Sequence, residues 1–211
     1  RSGQTKRRKG RLEVNNPGHS PKQSDADAIL MQGSELAKAG NVAAALPLFK
    51  KALEADPSLI KGYICLSLAY RDTQQLAASL ETALKGLEIA PDNSPLLTLV
   101  SEAYRLQKQT HEAINYMEKA LAVEPDNPVI ISNLAILYFD CGDKENTLKY
   151  AQKAIDINPT QAQAHYFKAR ALKYDSAEDP HLADILSLIN ETAQLDPRSK
   201  AYFHFAAAKI F

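Results

Sequence analysis

The sequence predicts an all-α chain built as an array of helical hairpins. Three observations lead there. Prolines recur at Pro57, Pro91, Pro125 and Pro159, 34 residues apart each time, and Pro197 follows after 38. Each closes a similar phrase: KKALEADP, LKGLEIAP, EKALAVEP, QKAIDINP and INETAQLDP. Small residues recur in phase between them. A period of this length marks one supersecondary unit that cannot bury its own apolar stripe and has to stack on its neighbours.

Placing the prolines at position 32 of a 34-residue frame gives repeats at 26–59, 60–93, 94–127 and 128–161. A fifth covers 162–199 with four extra residues, and a partial sixth helix covers 200–211. Together they make a folded array over 25–211. Each repeat reads as helix A at positions 1–14 and helix B at 17–30. Position 8 is small (Gly33, Ser67, Ser101, Ala135, Ala169), as are position 20 (Ala45, Ser79, Ala113, Thr147) and position 27 (Ala52, Gly86, Ala120, Ala154). Position 11 is large (Leu36, Tyr70, Tyr104, Tyr138, Leu172). Positions 4, 7, 8 and 11 share one helical face, shown in repeat 3 by Leu97, Val100, Ser101 and Tyr104.

The punctuation agrees along the chain. In repeat 1, Gly40-Asn41 stops one helix and starts the next, and Gly142-Asp143 does so in repeat 4. Pro47 falls inside helix B of repeat 1 and predicts a kink or a late helix start. Pro95 and Pro128 suit first helical turns. Repeat 5 carries its insertion, Tyr174 to Pro180, between its two helices. The last helix is apolar on two faces. Tyr202, Phe205 and Phe211 add to the packing face of Phe203, Ala206, Ala207 and Ile210. That predicts a surface covered by a continuation of the chain or by a second copy, a homodimer through this helix.

Before the array, residues 1–24 hold seven bases and one acid, while the remainder has 18 bases and 24 acids. With two large aliphatics only, this segment reads as a disordered basic arm. Its Lys6–Arg11 cluster suits nucleic acid, an acidic lipid surface or an import receptor, or is a solvated tail. Nucleic acid is disfavoured as the main partner because the folded part is acidic.

The phased pattern resembles the tetratricopeptide repeat (TPR) family over residues 26–211. The resemblance implies a right-handed superhelical solenoid of helix-turn-helix repeats. It also implies a concave surface lined by helix A positions 2, 5, 9, 12 and 13. Carried onto this chain, the groove residues are Lys61, Ile64, Leu68, Arg71, Arg105, Ile136, Phe139, Tyr166, Arg170 and Lys173. They form an apolar strip edged by cations, suited to a peptide or protein with apolar and acidic groups. The Lys/Asn clamp by which some TPR cochaperones hold carboxylates does not fit Leu30 and Ser34, Ile64 and Leu68, or Thr98 and Glu102. Asn133 is an isolated match.

Catalytic chemistry has no visible carrier. His19, His111, His165, His181 and His204 show no ligand spacing, and there is no phosphate loop or nucleophile elbow. No catalytic residue, metal site or cofactor is expected. Cys65 and Cys141, 76 residues apart, suggest neither a disulfide framework nor a zinc knuckle, so a reducing, cytoplasmic setting is the expectation. No run is long and apolar enough for a membrane span. A narrower resemblance covers Leu186–Phe211, which looks like the segment preceding the catalytic domain in TPR-containing sulfotransferases. Two readings follow: a scaffold binding a partner in its groove, or the non-catalytic docking region of a larger enzyme, a sulfotransferase, with its catalytic domain beyond residue 211.

Overall fold

The computed structural model describes residues 21–172, 180–191 and 196–210. Among the described residues there are eleven helices and no strand. The A helices are α1 (Pro21–Lys38), α3 (Ile60–Asp72), α5 (Ser94–Leu106), α7 (Pro128–Asp140) and α9 (Ala162–Ala171). The B helices are α2 (Val42–Ala55), α4 (Leu76–Ile89), α6 (Thr110–Val123), α8 (Lys144–Ile157) and α10 (Pro180–Glu191). Helix α11 (Pro197–Ile210) packs on α9 and α10 in the place of a sixth A helix. In the first four repeats each A helix packs on its own B helix, each B helix packs on the next A helix, and α9 packs chiefly on α8 and α11, so the fold is an all-α repeat solenoid.

The in-phase small residues explain the packing. Every one at positions 8, 20 and 27 of the first four repeats is buried. The close approach is visible in hydrogen bonds between the paired helices. Ser67 Oγ donates to the Ser79 carbonyl at 3.0 Å and Ser79 Oγ to the Ser67 carbonyl at 2.8 Å. Ser101 Oγ donates to the Ala113 carbonyl at 2.6 Å. A hydroxyl reaches the facing backbone only where both side chains are short. The large residues at position 11 fill the space beside them: Tyr104 stacks on Tyr116 at 5.6 Å and Tyr138 on Tyr150 at 5.4 Å.

In the first four repeats the A–B corner is a left-handed residue at position 15. Gly40 and Gly142 sit at φ +83° and +82°. Gln74 and Lys108 occupy the same place at φ 62° and 63°. In all four repeats the next amide closes the corner on a carbonyl five residues back, Asn41 on Leu36, Gln75 on Tyr70, Gln109 on Tyr104 and Asp143 on Tyr138.

Three expectations need correction. Helix α1 begins at Pro21, so residues 21–24 belong to the helix and not to the arm. Helix α2 runs through Pro47 from an ordinary start, capped by Asn41 Oδ1 accepting from the Ala44 amide at 3.4 Å. The ring is exposed and forfeits one backbone bond, while Ala45, Phe49 and Ala52 hold the helix in the core. Helix α11 starts at Pro197, three residues before the frame predicts. Asp196 Oδ1 accepts from the Arg198 and Ser199 amides at 3.0 and 3.1 Å, so Pro197 opens the helix. Residues 1–20 of the arm, Lys173, the insertion from Tyr174 to Asp179, and Phe211 lie outside the described residues.

Candidate partner-binding groove

The A helices present one continuous face, and two depressions adjoin on it. The first, about 450 Å³, lies over α3, α5 and α7 and is lined by Ile64, Leu68, Leu99 and Val129. The second, about 400 Å³, is walled by α5, α7, α9 and the start of α11. Its floor is apolar (Met117, Ile136, Leu137, Ala162) and its walls carry Arg105, Asn133, Gln163, Arg198 and Tyr202. Glu102 and Val129 border both.

Five of the ten sequence-predicted groove residues, Ile64, Leu68, Arg71, Arg105 and Ile136, line these depressions, with altered roles, while Lys61, Phe139, Tyr166 and Arg170 do not. Ile64 and Leu68 are half-buried in the first depression, and Lys61 is exposed at the start of α3. Ile136 is a correction: it is 5% exposed and forms floor, not an exposed anchor, because α7 is packed on both sides. The cations are also corrected. Arg71 Nη1 meets Glu102 at 2.8 Å and Arg105 Nε meets Asp140 at 2.7 Å, each an ion pair between neighbouring A helices. Burial works against the charge on Arg71, but Glu102 and Asp72 outweigh it and hold the guanidinium above its ordinary pKa. Arg170 lies over the Phe139 ring at 4.4 Å and the Tyr166 ring at 5.5 Å. Positions 12 and 9 or 13 of adjacent repeats are therefore cross-linked along the face. Three of the five cations foreseen for a partner's carboxylates, Arg71, Arg105 and Arg170, already have neighbours, while Lys61 is exposed, so the strip is less basic than its composition suggests.

Two wall residues were missed. Arg198 and its neighbour Ser199 enter the cavity because α11 starts early. The signal was present: Asp196-Pro197 reads as a cap followed by a first-turn proline, like Asn127-Pro128, where Asn127 Oδ1 accepts from the Val129 amide at 3.0 Å. Tyr202 and Phe205, predicted as an association surface, lie 5.4 and 6.3 Å from the Tyr166 ring, and Phe205 is 62% exposed.

Behind the groove, α9, α10 and α11 meet at a buried histidine pair. His165 Nε2 donates to the Pro159 carbonyl at 2.8 Å, since a carbonyl can only accept. Nδ1 then accepts from His181 Nε2 at 3.1 Å in the neutral pair. Phe203 lies 5.4 Å from the His165 ring. Burial, then the nearby Lys168, push His165 below its ordinary pKa, against the pull of the Pro159 bond and Asp184. Cys65 is half-buried and its thiol is pushed up by burial; Cys141 is exposed, its Sγ 3.2 Å from the Tyr138 carbonyl. At Cys65 burial outweighs the opposing pull of Ser34 and Lys61, which is not the setting of an activated thiol. Among the described residues no helix is long and apolar enough to cross a membrane.

Two family models, both described as tetratricopeptide repeat, match residues 30–94 and 104–171. Neither match reaches the Leu186–Phe211 stretch. No curated protein matches the chain. Among solved structures, one described as a functional characterization of Pseudomonas aeruginosa pilF is 18% identical, with a TM-score of 0.70 over 90% of each chain. TTC0263, a thermophilic TPR protein of Thermus thermophilus, is 20% identical, with a TM-score of 0.67 over 87% of this chain and 99% of that one. MamA from Desulfovibrio magneticus RS-1 is 15% identical, with a TM-score of 0.69 over 84% of this chain and 99% of that one. At these identities the likeness is one of fold.

Proposed function

The chain belongs to the tetratricopeptide-repeat family, a family of protein-interaction scaffolds, and on that premise we propose that it holds a segment of a partner protein along the face of its A helices. The carrying observation is the pair of adjoining depressions on that face, one apolar and one with an apolar floor and polar walls. The opposite edge, between α2, α3 and α4, offers a smaller depression of about 350 Å³, rimmed by Lys50, Glu54, Glu81 and Lys85. Two of those charges, Glu81 and Lys85, pair with each other at 2.7 Å. Apolar contact area in a concave, pre-formed site carries most binding free energy at interfaces of this kind.

The ion pairs Arg71–Glu102 and Arg105–Asp140 serve the groove by fixing the spacing of its walls. Each bridges two repeats, so the face is pre-organised and loses little freedom on binding. The test is selection of binders from a random peptide display library on the immobilised chain, with Ile64→Asp and Leu68→Asp as blocking variants. Binders lost in both variants support the reading. Binders indifferent to both oppose it.

A second reading rests on Phe205, which is 62% exposed on α11 beside Tyr166. A large aromatic this exposed suits pairing with another copy of the chain. Sedimentation velocity of the wild type against Phe205→Glu decides it: a mass shift that the substitution removes supports pairing, and a monomer at every concentration opposes it.

A further inference from the structure

Repeat 5 closes differently from the four before it. Its B helix, α10, packs on α11, and α9 takes α11 as its main partner on that side. The core of this end is drawn from three helices: Ala162 and Ala169 of α9, Leu182 and Ile185 of α10, and Phe203, Ala206 and Ala207 of α11. Between these helices lie two histidines, His165 and His181, 2% and 5% exposed. Each unit of a solenoid touches its neighbours alone, so an end unit can open while the rest stays folded.

The hydrogen bonds leave the histidine pair little room for protons. His165 Nε2 has to carry hydrogen to reach the Pro159 carbonyl at 2.8 Å, so its Nδ1 accepts from His181 Nε2 at 3.1 Å in the neutral pair. One added proton still leaves a single hydrogen between the facing nitrogens, but it buries a charge among apolar side chains. A second proton sets two N–H groups head to head, and the bond is lost. Once α10 and α11 leave α9, water hydrates both charged rings.

The groups around the pair do not offset this. Burial dominates and works against a charge on His165; the Pro159 bond opposes that, Lys168 on α9 adds to it, and Asp184 on α10 opposes it without cancelling it. Helix α11 presents the uncharged Phe203 ring, 5.4 Å from that of His165, while its His204 is exposed.

We propose that the His165–His181 pair is an acid-released latch: in mild acid α10 and α11 come away from α9 together, and the array from α1 to α8 stays folded. The released helices include Arg198 and Tyr202, so the second depression loses that wall, and Leu182, Ile185 and Phe203 are uncovered. The latch is independent of what the groove holds.

Hydrogen–deuterium exchange of the whole chain at pH 7.5 and 5.5, corrected for the intrinsic rate at each pH, tests it without a ligand. A histidine neutral in the closed seam that takes one proton in the open one, at an ordinary pKa of about 6.5, lowers protection about tenfold at pH 5.5. Amides of α10 and α11 should lose at least that much, and those of α3 to α6 should keep their protection. The double variant His165→Gln, His181→Gln, which takes no proton at either ring, should show equal protection of α10 and α11 at both pH values. Should that variant leave the seam open throughout, the imidazole nitrogen shifts of the wild type decide. A His165 that protonates only as α10 and α11 open supports the latch, and a charged pair in a closed seam at pH 5.5 overturns it. Unchanged protection in the wild type, a loss shared equally by α3 to α6, or a pH difference that persists in the double variant would each overturn it as well.

Discussion

Lys108→Gly should stabilise the chain, and Gly142→Ala should destabilise it by a similar amount. Both residues sit at position 15, where the backbone is left-handed in four successive repeats, at φ +83°, 62°, 63° and +82°. A residue with a Cβ in that region is strained by roughly 1–2 kcal/mol. Glycine gives back roughly 0.5–1 kcal/mol through its freer unfolded chain. The difference leaves about 0.5–1 kcal/mol in favour of glycine at Lys108, and the same magnitude lost at Gly142. The strain argument is clean at Gly142 because a Cβ there meets nothing within 4 Å, so the loss is one of backbone alone. Lys108 is exposed, so little packing leaves with it. Equilibrium urea unfolding reads both as midpoint shifts in opposite directions at constant slope. In a chain of this size about 1 kcal/mol moves the thermal midpoint by roughly 2–4 °C. A lower midpoint for Lys108→Gly, or an unchanged one for Gly142→Ala, would show that the corner geometry is not what limits residue choice there.

Ala120→Leu should cost about 1–3 kcal/mol by overpacking, because Ala120 is fully buried against Ala113, Met117 and Leu134; unchanged thermal stability would place the helix contact elsewhere. Stability should fall with acid as pH drops below 6.5. The lowered folded pKa of His165 means that the unfolded chain binds the extra proton first, so this contribution is complete above that pH and lost below it. His165→Gln should flatten that slope in urea titrations between neutral and mildly acidic pH, and an unaltered slope would remove His165 as its source. Breaking one inter-repeat pair with Arg105→Gln should cost at most about 1 kcal/mol, as the pair is part-exposed at 39% and 33%; a loss of several kcal/mol would mean that it carries the fold.

Helix positions were legible because one cause dictates them. The small residues at positions 8, 20 and 27 have to lie where helices touch, and Ser67, Ala113 and Ala154 are all there. The frame placed α3 to α8 to within a residue or so of their observed ends. It failed where a local cap competes with the period. Asp196 starts α11 one turn early, and that single shift put Arg198 into the cavity unforeseen. No late start occurs at Pro47, because core burial of Ala45 and Phe49 holds the helix across the one lost backbone bond. The groove was legible as a set of positions but not as a charge pattern. Arg71 and Glu102 are 31 residues apart, and only the stacking angle of successive repeats brings them to 2.8 Å. The same holds for His165 and His181, which no spacing rule pairs across an insertion in the hairpin.

Partner segments on the A-helix face should leave a footprint there in amide exchange. The decisive measurement is hydrogen–deuterium exchange of the chain with and without a saturating display-selected peptide. Exchange should slow in α3, α5, α7 and α9 together with the first turn of α11, and stay unchanged in the outer turns of α4, α6 and α8. Protection concentrated on those B helices, with the A-helix face unaffected, would contradict that placement.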